Sequence, residues 1–419
     1  MSEWLPAVNS RAHDRARTWR AVQAEGATVK MLRLLHMADV HLGARHHDLG
    51  SAAAAQRERQ FAAFRRAIEL AIAEKVGLVL ICGDLFDSNN QPRRSVERAA
   101  QELRRLAERN IPTVIIPGTH DVYDSSSIYR AFDLPAMAGL ADDSTGLVVL
   151  TDTRTDVTFP DLGLTVHGRV ARTKRAAASP LAGFSAPTED GGWHIGMIHG
   201  SLAVPGKVEQ DDVLFSEDEI AASGLHYLAL GHWHSHREGR AGKTLWAYPG
   251  APEPVALDQE GAGQVLLVAL NQQDGTRDVR LEARPVGQTR IQRLDLDAAA
   301  LGSQPDLVRR LGELADANVV ADVRLVGVRS AELDLNLDEV EQQLQGSFLR
   351  LRLRDESHAA LPAGPLPPAD TIAGAFVREL QARIAEAEGQ ADEALAAELS
   401  EALHIGRLLL DSPERVTLA

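Results

Sequence analysis

Leu78-Val79-Leu80-Ile81-Cys82-Gly83-Asp84-Leu85-Phe86-Asp87 runs five apolar residues straight into a glycine and the first of two carboxylates. A short apolar run closed by a turn residue reads as a strand. Polar groups just past a strand's last apolar residue stand where open α/β sheets bind ligands. The layout recurs: strands are expected at 32–36, 112–117, 164–168, 194–198, 226–230 and 244–248, and most of them run into a His or Asp. Between the first two strands a helix from about Gln56 to Glu74 carries Phe61, Phe64, Ile68 and Ile72 at helical spacing, a core stripe. From Met31 to about Val286 the alternation describes a layered α/β domain, residues 31–286.

Residues 1–30 lack sustained periodicity and are expected to be a disordered extension, and the acids Glu3, Asp14 and Glu25 speak against a transit peptide. After the main domain, strands at 291–296, 319–328 and 348–354 with helices near 305–317 and 337–344 predict a small α/β unit, residues 287–357. Leu361-Pro362-Ala363-Gly364-Pro365-Leu366-Pro367-Pro368 reads as a stiff linker within 358–371. Beyond it, Phe376, Leu380 and Ile384 mark one helix and Leu395, Leu399 and Leu403 another, in a helical tail over 372–419. Stripes this narrow must pack on something.

Apolar residues make up 44% and charged residues 25% of the 419, a globular composition. No apolar run approaches the roughly 20 residues that span a bilayer, and no signal-peptide layout opens the chain, so a cytoplasmic protein is expected. The one cysteine, Cys82, lies in an apolar run and is expected to be buried. A net charge of −15 argues against a protein that simply coats nucleic acid, although bound cations and local arginines can still attract phosphate. Arg169, Arg172, Lys174 and Arg175 form one such basic stretch, with solvated surface as its plainer reading.

Five motifs appear in order: Asp39-Val40-His41, Gly83-Asp84-Leu85-Phe86-Asp87, Gly118-Thr119-His120-Asp121, His199-Gly200 and Gly231-His232-Trp233-His234. Each is weak alone. In an extended strand end, residues i and i+2 share a side, so Asp39 with His41, and His232 with His234, would each present two donors to one locus. Mixed carboxylate and imidazole donors without thiolate suit divalent ions such as Mn2+, Fe2+ or Zn2+. His36, His46, His47 and His236 are expected to be structural or surface residues, and Trp233 a packing residue.

Taken together, these motifs resemble the signature of the calcineurin-like metallophosphoesterases. The wording of His36–Gly43, Gly83–Asp87 and Ala229–His234 is most similar to the DNA-repair exonuclease branch, the SbcD and YhaO type. The motif match covers roughly residues 31–255. The resemblance implies a layered β-sandwich flanked by helices, with a small α/β capping domain and a partner-binding helical tail. It implies two divalent metal ions, Mn2+ first among them. Asp39, His41 and His234 would bind one ion, Asp84 would bridge, and His199 and His232 would bind the other. His120 would act on the leaving group, with Asp87 orienting its ring; an N-cap of the following helix is the plainer role for Asp87. Where the family pattern has Asn, this chain has Thr119, so the second ion is expected to be held more weakly.

The function implied is a DNA exonuclease or endonuclease subunit in DNA repair, with an SMC-like ATPase partner on the C-terminal helices; a homodimer is compatible with the sequence. Two further readings stay open: a phosphodiesterase or phosphatase for small substrates, and a non-catalytic partner that keeps metal for structure.

Overall fold

The computed structural model describes residues 30–411 apart from 142–143, 172, 174, 177, 188–190, 204–212, 255–258, 260, 331–332, 360–365 and 391. The expected disordered extension therefore lies outside the described residues except for Lys30, which opens the first strand. So do Arg172 and Lys174 of the basic stretch, 361–365 of the linker and the end of the tail.

Two six-stranded sheets face each other. The first runs, edge to edge, Thr276–Pro285, Gln264–Gln273, Lys30–Met37, Leu78–Cys82, Thr113–Ile116 and Leu147–Val149. The second runs Arg237–Ala241, Thr244–Tyr248, Tyr227–Gly231, Trp193–His199, Leu164–Arg169 and Asp156–Phe159. The strands that lead into the motifs are parallel neighbours: Lys30–Met37, Leu78–Cys82 and Thr113–Ile116 in one sheet, Trp193–His199 and Tyr227–Gly231 in the other. Their C-terminal ends thus deliver the motif loops to one side of the molecule.

Leu78–Cys82 shows why the runs are continuously apolar. Val79 and Ile81 pack toward the helices Ala53–Ala73 and Arg93–Ala107, among Phe61, Phe64, Ile68 and Leu103. Leu78, Leu80 and Cys82 pack toward the second sheet, among Val166, Ile195, Met197 and Tyr227. A strand covered on both faces has no place for a polar residue, so its sequence does not alternate. The second sheet's outer face carries a smaller cluster around Phe215, Leu228, Leu230 and Tyr248. The result is a β-sandwich flanked by helices, as the resemblance implied.

A three-stranded parallel sheet of Arg290–Asp297, Val319–Val326 and Arg350–Asp355 follows, with helices Gln304–Glu313 and Leu337–Gln343 capped by the side chains of Ser303 and Asn336. It meets the sandwich through buried Glu253, which accepts the N–H groups of Gln288 and Thr289, and through Arg59, which donates to Ala317 and Asn318. Helices Ile372–Gly389 and Glu393–Asp411 form a terminal hairpin. They approach closely at Gly406, where a Cβ would meet the Phe376 ring at 2.1 Å.

Candidate metal centre

The loops after Met37 and Cys82 are laced together by main-chain hydrogen bonds, Asp39 N–H to Gly83 O at 3.1 Å, His41 N–H to Asp84 O at 2.9 Å and Leu42 N–H to Leu85 O at 2.9 Å. Keeping that contact while the chain curls puts Asp39, His41 and Asp84 at φ of 53°, 49° and 50°, with His232 at 106°. The i, i+2 argument for Asp39 and His41 assumed extended backbone. The two side chains do converge, but through left-handed residues rather than a strand end.

Close approach demands glycine at two points. A Cβ on Gly231 would lie 1.8 Å from the Cys82 carbonyl oxygen and 2.8 Å from His199 Nδ1, and one on Gly118 would lie 2.2 Å from Asp84 Oδ1. These contacts bring the loops of the two sheets into one cluster.

Asp39, His41, Asp84 and His199 are almost fully buried. Nε2 of His41 lies 3.1 Å from Nε2 of His234 and 3.7 Å from an Asp84 oxygen, while His199 Nε2 lies 3.2 Å from that carboxylate. Ligand atoms group within 4.8 Å of one another in three sets: Asp39 with His41 and His234, Asp39 with Asp84 and His199, and His41 with Asp87 and His120.

The ring orientations test whether cations fit. His199 donates from Nδ1 to the Cys82 carbonyl, His41 turns Nδ1 to Asp87 Oδ1 at 3.2 Å, and His234 turns Nδ1 to the Gln259 side chain. Each ring is anchored on its far nitrogen and aims Nε2 inward, the usual support of a metal-binding imidazole. Two inward nitrogens 3.1 Å apart cannot both carry protons, and two buried carboxylates repel each other. Divalent cations would satisfy all of them, so the donor set fits.

The electrostatics of the cluster follow from this crowding. Burial pushes the Asp39 carboxyl up to about 7, with His199 opposing and Asp84 adding to the shift. Burial also opposes charge on Asp84, but His199 and His41 outweigh it and hold that carboxyl well below the usual range. Burial works against a charged His199 too, yet Asp84 and Asp39 push it up to about 10. His234 is pushed down to about 3 by burial and by His41.

Other expected residues fall differently. His120 is half-exposed, donates its main-chain N–H to Asp84 Oδ1 at 2.7 Å, and has Nδ1 2.9 Å from the carbonyl oxygen of Asp87. Asp87 therefore holds the His120 ring through its main chain, while its carboxylate contacts His41 and lies 3.9 Å from His120 Nδ1. It is not a helix cap: the next helix has its N-cap at Pro92, without a side-chain bond. The His232 ring stands 5.3 Å from that of His199, outside the three groups, and its main-chain N–H donates to both Asp39 oxygens. Thr119 Oγ1 is 3.5 Å from His199 Nε2. His36 is buried beneath the site, its Nδ1 2.8 Å from Tyr227 Oη and its Nε2 3.1 Å from the Leu230 carbonyl oxygen.

Sequence reasoning gave no role to Asp121. Fully buried, it accepts the N–H groups of Gly118 at 2.7 Å and Asp84 at 3.2 Å on one oxygen. Its other oxygen accepts Phe86 N–H at 3.1 Å and the Tyr129 hydroxyl at 2.6 Å. It locks two motif loops together, and its place at the end of Gly118-Thr119-His120-Asp121 was the one available signal.

Comparisons with known proteins show what the chain is similar to. The family described as calcineurin-like phosphoesterase matches residues 32–236. The DNA double-strand break repair protein Mre11 of Aeropyrum pernix is 29% identical over 248 residues, 55% of each chain. An Mre11 of Sulfolobus acidocaldarius is 44% identical over 91 residues, 22% of each chain, and the uncharacterized metallophosphoesterase YhaO of Bacillus subtilis is 25% identical over 58% of each. The match thus spans about half the length of the longest-aligned relatives. Among solved structures, a dimetal phosphatase of Danio rerio aligns over 61% of this chain and 99% of its own, with 11% identity and a TM-score of 0.35. Over residues 32–236 this chain carries a calcineurin-like phosphoesterase domain, with relatives consistent with the DNA-repair nuclease branch.

Proposed function

We propose that the protein is a metal-dependent phosphodiesterase that cuts DNA as the nuclease subunit of a repair complex with an SMC-like ATPase. The observation that carries this reading is the inward convergence of anchored His41, His199 and His234 on the Asp39–Asp84 pair, in a chain whose relatives bear the name of a DNA break-repair protein. In it Asp39, His41, Asp84 and His234 would hold one divalent ion, and Asp84, His199 and His232 would hold a second, with Mn2+ the expected metal. When bound, such ions polarise the phosphoryl group and offset its charge.

The remaining chemistry belongs to His120. With Nδ1–H donated to the Asp87 carbonyl, its protonated ring presents Nε2–H to the cleft, where it donates a proton to the departing oxygen. The Asp87 carboxylate lies 3.9 Å from that Nδ1.

The terminal hairpin is the surface proposed for the ATPase. Phe376, Leu380, Leu399 and Leu403, the residues expected to meet the partner, are half-buried, whereas Ile372, Leu395, Leu409 and Leu410 are exposed and available to it.

Digestion of defined single- and double-stranded DNA with Mn2+, Fe2+ and Zn2+ in turn tests the reading. Cleavage is expected with Mn2+ and none in chelator. His120→Ala should keep its metal while losing about 10²–10⁴-fold in turnover. Loss of metal with turnover intact on reloading would reverse the assignment, and absence of DNA cleavage with every metal would refute the nuclease reading.

A further inference from the structure

Beside the cluster, the outer face of the second sheet carries an arginine with an unusual setting. Trp233, between His232 and His234, stacks its ring on Tyr248 with centroids 4.7 Å apart at 19°, and donates Nε1–H to Ser201 Oγ at 3.2 Å. Tyr248 in turn donates its hydroxyl to the Gly200 carbonyl and accepts the Leu202 N–H, both at 2.9 Å. The aromatic pair therefore ties the loop of His232 and His234 to the loop that follows His199. Arg237, on the edge strand, pairs in register with Tyr248 and so projects on the same face. Its guanidinium carbon lies 4.6 Å from the centroid of the Trp233 ring.

That ring is its whole support. Arg33, Arg98, Arg105, Arg324 and Arg354 each face a carboxylate within 4 Å, whereas Arg237 is exposed and has no hydrogen bond or ion pair among the described residues. Glu238 is directed instead to His236, 3.6 Å away. In a chain of net charge −15, an exposed cation without an acid partner beside the cluster is placed to receive an anion. A planar guanidinium held over an indole keeps its N–H edge free, and that edge matches two phosphate oxygens.

We propose that Arg237, braced on Trp233, grips a backbone phosphate of the nucleic acid next to the scissile phosphodiester. This rests on the DNA-cleaving reading above. Trp233 acts as the support for the cation, which accords with its packing role, and Arg237 is a binding residue rather than a catalytic one.

The test uses the whole chain in chelator, with short labelled single-stranded and duplex DNA followed by anisotropy across a salt series. Arg237→Ala should bind roughly tenfold more weakly, with a log–log salt slope about one unit shallower, independent of sequence. Arg237→Lys should restore the slope but only part of the affinity, because it loses the flat stack. Arg240→Ala, two residues past Glu238 on the same strand and bonded to the Lys243 carbonyl, should behave as wild type. In Mn2+, Arg237→Ala should raise KM for DNA while kcat changes little. Wild-type affinity and salt slope in Arg237→Ala, or a fall in kcat at constant KM, would overturn the inference while leaving the nuclease reading standing. Wild-type protein that neither binds nor cuts DNA would overturn both.

Discussion

Asp121 offers the sharpest test of how the site is assembled, because its whole role lies in main-chain hydrogen bonds. In Asp121→Asn the amide can turn its oxygen to the Gly118 and Asp84 N–H groups, and the Tyr129 hydroxyl can rotate to accept from the new NH2. The Phe86 N–H then faces another donor. One orphaned buried donor costs about 1–3 kcal/mol. Asp121→Ala removes the partner of all three main-chain donors and of the Tyr129 hydroxyl. Even if water enters the space, a loss of about 3–5 kcal/mol is expected, a large share of the roughly 5–15 kcal/mol that holds a domain folded. The loops so released carry Asp84 and Thr119, so metal affinity should also fall, by about 10–100-fold as when a ligand's supporting bonds are removed. Urea unfolding in chelator reads the first quantity and titration calorimetry with Mn2+ the second. An alanine variant as stable as wild type would refute the hydrogen-bond reading. One that loses stability but binds metal as before would show that Asp121 braces the fold without shaping the site.

Other outcomes follow from single contacts. Thr119 Oγ1 sits one bond nearer the backbone than an amide oxygen would, so metal binding should be two-phase. Thr119→Asn should tighten the weaker phase and lower the Mn2+ needed for half-maximal activity; two equal sites unchanged by the substitution would contradict this. Burial pushes His36 down to about 3 from 6.5. As pH falls below 6.5 the unfolded chain takes up a proton that the folded chain refuses, so between 6.5 and about 3 stability should drop by about 1.4 kcal/mol per pH unit from this group. His36→Gln, measured by unfolding in chelator, should flatten that slope by one proton, and an unaltered slope would remove His36 from the acid response. Deleting the chain after Pro368 should spare cleavage of small phosphodiesters but abolish capture of the ATPase; normal capture would move the docking surface elsewhere.

The strands of the sandwich were legible where both faces are buried, because Leu78–Cys82 and the stretch Ile195–Ile198 of Trp193–His199 carry no polar side chain. In the long hairpin Gln264–Gln273 and Thr276–Pro285 the inner strand was missed despite its apolar run Val265–Leu270, and the outer one for the opposite reason. Its outer strand is an edge that presents Arg277, Asp278, Arg280, Glu282 and Arg284, and such a strand has no apolar run to announce it. A signal did exist in Asp274-Gly275, both at positive φ, the pairing a two-residue hairpin turn prefers. At the site, residue types and order were readable but partners were not. Nothing in the sequence says that the Asp87 carboxylate faces His41 while its carbonyl faces His120, since that depends on two loops zipped side by side.

That zipper also explains why the site breaks local rules. A non-glycine residue in the left-handed region costs on the order of 1–3 kcal/mol, and three stand in the first two motif loops at Asp39, His41 and Asp84. Glycine would relieve the strain but would supply no ligand atom. The strain is offset by the main-chain bonds from Asp39 to Gly83, His41 to Asp84 and Leu42 to Leu85, and by full burial of Leu42, Leu85 and Phe86. The carboxylates are therefore held near each other by the fold itself. Because the donors are already converged, their repulsion is built into the fold, and under the proposed reading a bound cation would relieve it without first having to order the loops. The same economy applies to His120, whose main chain is tied to Asp84 and whose ring is tied to Asp87, so that the proposed proton donor and the proposed bridging ligand share one rigid frame.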